Sequence, residues 1–342
     1  MPVLDDIDSL EQAVQHLAAL CQQDTSFESA FALQKARYQL AAALTGKTAL
    51  APAVWPPENV PDVFVNKHTV IPEIPAQDMG ALPVLSGILH HGCVLVRGLF
   101  DATTTDQLRE AGKRQLLSVQ QGEYEPRGTY PDDWCQSAKA CGGMRQFTRN
   151  ERSLQIGDYP LLSAQVLAAF QQSGLTALVT ALLGEHPAML WSKWGFRHVP
   201  VDAVKAIAAS GLSPWHQDGQ FMGPDIRAIN AWISLCDCGV DAPGITVLPK
   251  RVGLVKTGTG NAPREDVVGE DVVAELASDA PVHSPAFGPG DVLLFDKYLL
   301  HRTQAFHPSM VTTRYAIESW FAGPSTYDQA AFFYGKFPLF AC

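Results

Sequence analysis

Two imidazoles and one carboxylate are the residues whose types and spacing point to chemistry. His216 and Asp218 lie two apart in Pro214-Trp-His-Gln-Asp-Gly-Gln220, so on an extended segment both side chains face one side. His301 lies in GDVLLFDKYLLHR, after an apolar strand and a charged turn, where a sheet rim can present it. Two histidines and one carboxylate on one face of a metal leave the opposite positions open, the facial arrangement of non-haem Fe(II) oxygenases. The open positions matter because a cosubstrate and O₂ must reach the metal together. H-x-D alone also arises by chance on surface loops, so its surroundings carry weight. An apolar run follows at 229–236, Gly244 opens another at 245–249, G-x-G-D-V-L-L-F precedes the distal histidine, and Arg314-Tyr315 closes the series.

The order H-x-D, W-I-x-L, G-x-x-x-x-P, G-D-x-x-x-F, H and R-Y resembles the phytanoyl-CoA dioxygenase family of 2-oxoglutarate oxygenases. The resemblance covers roughly residues 82–322 and is most specific over 214–320. It implies a double-stranded β-helix, a cupin-like jelly roll, with the metal at its open end. It also implies consumption of O₂ and 2-oxoglutarate with release of succinate and CO₂, so Fe(II), 2-oxoglutarate and O₂ are the expected cofactor set. His216, Asp218 and His301 match the metal ligands. Arg314, thirteen positions after His301, matches the arginine that pairs with the distal carboxylate of 2-oxoglutarate, which a guanidinium grips through two parallel hydrogen bonds. Thr303 matches a hydroxyl that helps hold that carboxylate, and Trp232 an aromatic lining the cosubstrate site. Many family members have Pro-Gly-Ser-His after the fourth core strand, where this chain has Pro249-Lys250-Arg251-Val252. That segment borders the mouth of the site and bears on substrate preference.

The elements that must position these residues are predicted as follows. Helical spacing runs over 8–45, with Asp24 and Thr25 as punctuation and Gly46 as a stop. Prolines 52, 56, 57, 61, 72 and 75 make residues 51–76 an extended arm. A short helix is expected over 81–91, a strand over 93–100, a helix from about 104 to 118 capped by Asp101, and a helix over 160–184 ended by Gly184. From residue 188 onward, AMLWSKWGF, INAWISLCDC, ITVLP, DVLLFD and RYAIESWF read as short strands, the pattern of a β-sandwich or barrel. The expected fold is therefore α+β and mainly β: a jelly-roll oxygenase domain over 80–342, flanked by helices, with residues 1–79 as a helical and Pro-rich extension packed on it. The family pattern has no counterpart for those early helices. The polar stretches 120–158 and 254–287 are candidates to border a pocket.

Composition narrows the partners. The chain has 342 residues and a formal net charge of −10, with no basic run of the kind that binds nucleic acid. No apolar stretch reaches the length of a membrane span, and the acidic N-terminus lacks the apolar core of a signal peptide. The seven cysteines include no C-x-x-C pair, which fits a reducing cytoplasm. Cys236 and Cys238 share a face of any strand that carries them and read as small buried hydrophobes. Lys193, Arg197 and His198 precede the metal motif, and one of them is expected to reach the site. The expectation is an oxygenase that hydroxylates a small molecule, as a monomer or homodimer. Desaturation or cyclisation and a non-catalytic cupin-like binder are the alternatives. Halogenation is disfavoured because Asp218 occupies the position that halogenases give to a small residue.

Overall fold

In the computed structural model, residues 7–45, 55–65, 70–121, 153–209, 215–223, 225–327 and 339–342 are described. Gly46, Cys135, Cys141 and most of the 120–158 stretch lie outside them. The chain opens with α1 (Ile7–Gln23) and α2 (Phe27–Leu44). Ser26 starts α2, its side chain accepting from the Ser29 amide at 3.3 Å, which satisfies one of the free donors of the first turn. Leu10, Val14, Leu33 and Leu40 bury the facing stripes in the main core.

The Pro-rich arm is pinned by α3 (Ala81–His91). His90 Nε2 meets the Val60 carbonyl at 2.8 Å, and His91 Nε2 meets Asp62 at 3.1 Å. After β1 (Glu73–Pro75) and β2 (Cys93–Arg97) comes α4 (Ala102–Gln120). Asp101 caps α4 by accepting from the Thr104 amide at 2.7 Å, as the sequence predicts. Strand β3 is the short pair Leu154–Gln155. The predicted helix over 160–184 is two helices, α5 (Pro160–Gln172) and α6 (Leu175–Leu183), bent by 76°. Gly174 breaks the run with φ 78°, a conformation that costs glycine little. No single helix among the described residues is long and apolar enough to cross a membrane.

The remaining chain alternates between two sheets. The strands are β4 (Ala188–Val199), β5 (Ala228–Ser234), β6 (Ile245–Arg251), β7 (Val292–Asp296), β8 (Leu299–Thr303), β9 (Arg314–Ala322) and β10 (Leu339–Ala341). The large sheet runs β1-β2-β7-β5-β9-β4-β10, with β3 on β4, while β6 and β8 form the small sheet. Only the β1–β2 pair is parallel among the ladders of the large sheet. From β5 to β9 successive strands switch sheets, which is the winding of a double-stranded β-helix. β5 is buried on both faces, as are β7 and most of β9.

The G-P-G-D turn before β7 is structural. Gly290 has φ 86°, and a side chain there would run into the Phe100 carbonyl. Asp291 accepts from Arg97 at 2.6 Å and from the Gly98 amide at 2.8 Å. The 254–287 connection differs from an open polar loop. It carries one helix, α9 (Glu270–Leu276), whereas the short helices α7 (Val201–Ala209) and α8 (Gly219–Met222) lie before β5. Val268 and Val273 of this stretch join Trp215, Leu248 and Leu300 in a second hydrophobic cluster, so burial of apolar side chains orders a segment whose composition reads as polar.

Candidate active site

The two histidines meet because of sheet register. His216 and His301 are directly opposed: each amide donates to the other's carbonyl at 3.0 Å, the hydrogen-bonded pair of an antiparallel ladder. The short 215–216 segment thus extends the small sheet at β8, and β6 holds the other edge through Val247 and His301. Their rings lie 4.3 Å apart between centroids. His301 Nδ1 meets the Leu299 carbonyl at 3.0 Å, which fixes that nitrogen as the donor and leaves Nε2 free to bind a metal.

Asp218 reaches the same point by a different backbone than the sequence predicts. The segment stays extended at His216, but Asp218 has φ −65° and ψ −21° and begins the one-turn helix α8. The Gly219 amide donates to the Lys297 carbonyl at 3.0 Å. A Cβ at Gly219 would lie 2.8 Å from Leu254 Cδ2 and 2.9 Å from that carbonyl, so the close approach requires glycine. Gln217, fully buried, anchors the turn: its Nε2 donates to the Gly253 and Tyr298 carbonyls, and its Oε1 accepts from the Val255 amide at 2.7 Å. One ligand atom from each of His216, Asp218 and His301 lies within 4.8 Å of the others.

The Asp218 carboxylate is 1% exposed and fully engaged. Oδ1 accepts from Lys193 Nζ at 2.6 Å, Oδ2 accepts from Trp320 Nε1 at 3.1 Å, and Oδ2 lies 3.8 Å from His301 Nε2. Burial alone would push this carboxyl up, but Lys193, His301 and His216 outweigh it and hold it well below the ordinary carboxylate range. Lys193 sits where β4 bulges between Met189 and Trp194 against β9, the kind of irregularity that re-aims a side chain. The donor set suits a ferrous ion: two neutral imidazoles and one anionic oxygen, converging in a buried position.

Arg314, Ala316, Glu318 and Trp320 alternate along β9, so they share one face of the strand. Arg314 is 5% exposed. Its Nη1 donates to the Gly244 carbonyl at 2.7 Å, its Nε has no hydrogen-bond partner, and its guanidinium lies 5.6 Å from the Trp232 ring centre. Among the described residues it makes no ion pair. Thr303 stands across the small sheet from Ile245, next to the carbonyl that Arg314 holds. Trp232 is packed at 4.8 Å against Phe287. The predicted cosubstrate residues therefore converge on one end of the two sheets, and the buried guanidinium has room in its bonding for a carboxylate.

Of the three cations ahead of the metal motif, Lys193 is the one that reaches the triad. Arg197 is committed to Glu318, with Nε and Nη2 at 2.9 and 2.6 Å from one carboxylate oxygen. Burial would raise the Glu318 carboxyl, and Arg197 holds it below its usual range. Replacing Arg197 by leucine strands that carboxylate in the interior and is expected to destabilise the fold by about 3–5 kcal/mol. Urea unfolding measures this, and an unchanged midpoint would mean that the pair contributes nothing to stability. His198 lies beside Tyr315, with ring centres 5.3 Å apart. Arg302 stacks on Trp215 at 4.5 Å and pairs with Glu270, which also accepts from the Trp215 indole at 3.0 Å. It clamps the metal segment from outside.

Sequence reasoning missed Trp320 and Gln217 as supports of Asp218, although the period of two from Arg314 to Trp320 is visible in RYAIESW. Cys236 and Cys238 are free thiols. The neighbouring Cys238 lowers the Cys236 thiol to about 7, and Cys236 is half-buried while Cys238 is buried.

A family model for phytanoyl-CoA dioxygenase (PhyH) matches residues 89–308. The 1-deoxypentalenic acid 11-beta-hydroxylase of Streptomyces exfoliatus is 30% identical over 133 residues, 36% of this chain and 44% of that protein. The enzyme of the same name from Streptomyces arenae is 29% identical over 128 residues, 34% of this chain and 42% of its own. The match thus spans less than half the length of either curated relative. Among solved structures, EctD from S. alaskensis with 2-oxoglutarate and 5-hydroxyectoine aligns over 69% of this chain and 74% of its own, at 17% identity and a TM-score of 0.48. The non-heme alpha ketoglutarate dependent carbocyclase SnoK from nogalamycin biosynthesis aligns over 73% of this chain and 86% of its own, at 13% identity and a TM-score of 0.45. The family model covers well over half of the sequence, including both candidate histidines and Asp218, and the chain belongs to the phytanoyl-CoA dioxygenase family.

Proposed function

We propose that this chain is an Fe(II)- and 2-oxoglutarate-dependent dioxygenase that hydroxylates an unactivated C–H bond of a small molecule. The observation that carries the reading is the pairing, in one barrel end, of the His216/Asp218/His301 donor set, with Asp218 and His301 buried and His216 half-buried, and a buried guanidinium that lacks an anionic partner among the described residues. We assign residues 80–342 to the oxygenase domain and 1–79 to an extension, of which α1 and α2 pack on the main core.

When bound, iron(II) supplies the redox chemistry: O₂ and 2-oxoglutarate are consumed, succinate and CO₂ leave, and one oxygen atom goes to the substrate. His216, Asp218 and His301 hold the ion. The bond from His301 Nδ1 to the Leu299 carbonyl keeps Nε2 aimed at the metal position. Lys193 and Trp320 hold the carboxylate of Asp218 in place. Arg314 pairs with the distal carboxylate of 2-oxoglutarate, Thr303 adds a hydroxyl to it, and Trp232 walls the cosubstrate on its apolar side. Burial of this end keeps bulk water away from the charged partners and strengthens their attraction.

By name, the Streptomyces relatives hydroxylate 1-deoxypentalenic acid, which supports hydroxylation as the outcome here. The test is succinate release from 2-oxoglutarate under ¹⁸O₂ with a panel of small organic acids and terpenoids. One labelled oxygen in succinate and one in product supports the proposal. Turnover of a substrate without any succinate would refute it, and a desaturated or cyclised product with succinate would keep the cofactor chemistry and overturn hydroxylation.

A further inference from the structure

The α1–α2 hairpin lies outside the family match, which begins at residue 89, yet it encloses space. Between the hairpin and α5 is a solvent-open pocket of about 130 Å³ whose apolar wall includes Leu33, Ala164 and Ala168, with the exposed Leu161, Gln165 and Gln171 toward its mouth. An apolar cavity of about 150 Å³ accepts a benzene ring, so the apolar part of this open pocket has room for a compact ring or branched chain. A recess of about 10 Å³ shares Ala30, Leu33, Arg37 and Ala164 with it and reaches Gln34 and Trp194. That is room for a single oxygen atom.

Arg37 lines both spaces. It is 6% exposed. Nη1 donates to the Ala341 carbonyl at 2.8 Å, whereas Nε has no partner. The titratable groups near enough to interact with it are the thiols of Cys342 and Cys21 and the imidazole of His186. Both thiols are raised by burial, Cys342 to about 12, so neither offers a negative charge at neutral pH. Among the described residues no carboxylate pairs with this guanidinium. Trp194 and Gln34 line the recess, and the Trp194 indole N–H and the Gln34 side-chain oxygen also lack partners. A buried cation with an unused donor is costly unless an anion or other acceptor meets it.

We propose that this cavity is a second ligand site that takes a small monocarboxylate with a compact apolar body. The carboxylate meets Arg37 at the inner end, and the apolar body fills the space between α2 and α5. Asp24 stands at the rim, engaged with Ser26 and Ser29, and leaves the inner end to Arg37. The site is distinct from the candidate iron centre: β4 separates them, with Lys193 reaching Asp218 on one side and Trp194 reaching the recess on the other. It stands whether or not the proposed oxygenase chemistry holds.

The experiment is calorimetric titration of the full chain with benzoate and with its neutral isostere benzamide, repeated on Arg37→Met and Ala168→Phe. Benzoate is expected to bind saturably and at least about tenfold more tightly than benzamide, the ratio supplied by one hydrogen bond to a charged group. Arg37→Met removes that preference, and Ala168→Phe, which fills the cavity while keeping the guanidinium, removes binding of both. Absence of saturable benzoate binding, equal affinity for the two probes, or unchanged benzoate binding in Ala168→Phe overturns the proposal. The last result would place the benzoate elsewhere, as at Arg314. If Arg37→Met does not fold, the benzoate-to-benzamide ratio and the Ala168→Phe titration decide the matter.

Discussion

Replacing Arg314 by methionine is expected to raise the 2-oxoglutarate concentration needed for half-maximal turnover by several hundredfold, with little effect on iron affinity. The guanidinium is buried and pairs with no carboxylate among the described residues. A dianionic cosubstrate entering that end leaves water, and Arg314 is the one cation that meets its distal carboxylate in this account. Removing one partner of a buried ion pair costs about 3–5 kcal/mol, and every 1.4 kcal/mol is about tenfold in affinity. The single bond to the Gly244 carbonyl, at 2.7 Å, aims the side chain and is lost with it. Arg314→Lys keeps the charge but not the fork and is expected to fall between the two. An unchanged cosubstrate requirement in Arg314→Met would assign the far carboxylate to another cation. Arg197 is a poor replacement because Glu318 already occupies it.

Asp218→Ala carries a second large expected effect, and part of it appears without iron. Lys193 and Asp218 are 14% and 1% exposed at their side chains and lie 2.6 Å apart. Losing the carboxylate leaves a nearly buried ammonium without its hydrogen-bonded partner, with Glu318 as the remaining negative charge nearby and Arg197 opposing it, at a cost of about 3–5 kcal/mol. The metal-free variant is therefore expected to unfold at lower denaturant than the parent, besides losing iron binding and turnover. Adding Lys193→Met should recover most of the stability and none of the iron affinity. That split separates the ion-pair role of Asp218 from its ligand role. Equal stability of the metal-free parent and Asp218→Ala would show that the Lys193 contact is worth nothing, and retained iron affinity would remove Asp218 from the site.

The parts of this site that follow a local rule were legible in the residues. H-x-D, the G-D turn and the alternation in RYAIESW are all local patterns, and each lies on the segment that the structure assigns to it. The sequence places His301 after an apolar strand and a charged turn, but that Leu299–Thr303 is a strand of the other sheet is not visible in so short a run, only two residues past β7. What composition hides is whatever depends on distant partners. Lys193 reaches Asp218 only because β4 bulges against β9. The 254–287 stretch looks polar, yet Val268 and Val273 are buried against Trp215 and Leu300. The break at Gly174 within an otherwise helical run is a backbone choice that one glycine permits and does not force.

The central claim is that one iron ion is held by His216, Asp218 and His301 with 2-oxoglutarate reaching Arg314. Diffraction at the iron absorption edge, from crystals grown without oxygen in Fe(II) and 2-oxoglutarate, tests it directly. The account predicts one anomalous peak bounded by the two imidazole Nε2 atoms and an Asp218 oxygen, with the distal carboxylate of the keto acid on the Arg314 guanidinium. A peak elsewhere, or a keto acid bound away from Arg314, would contradict it.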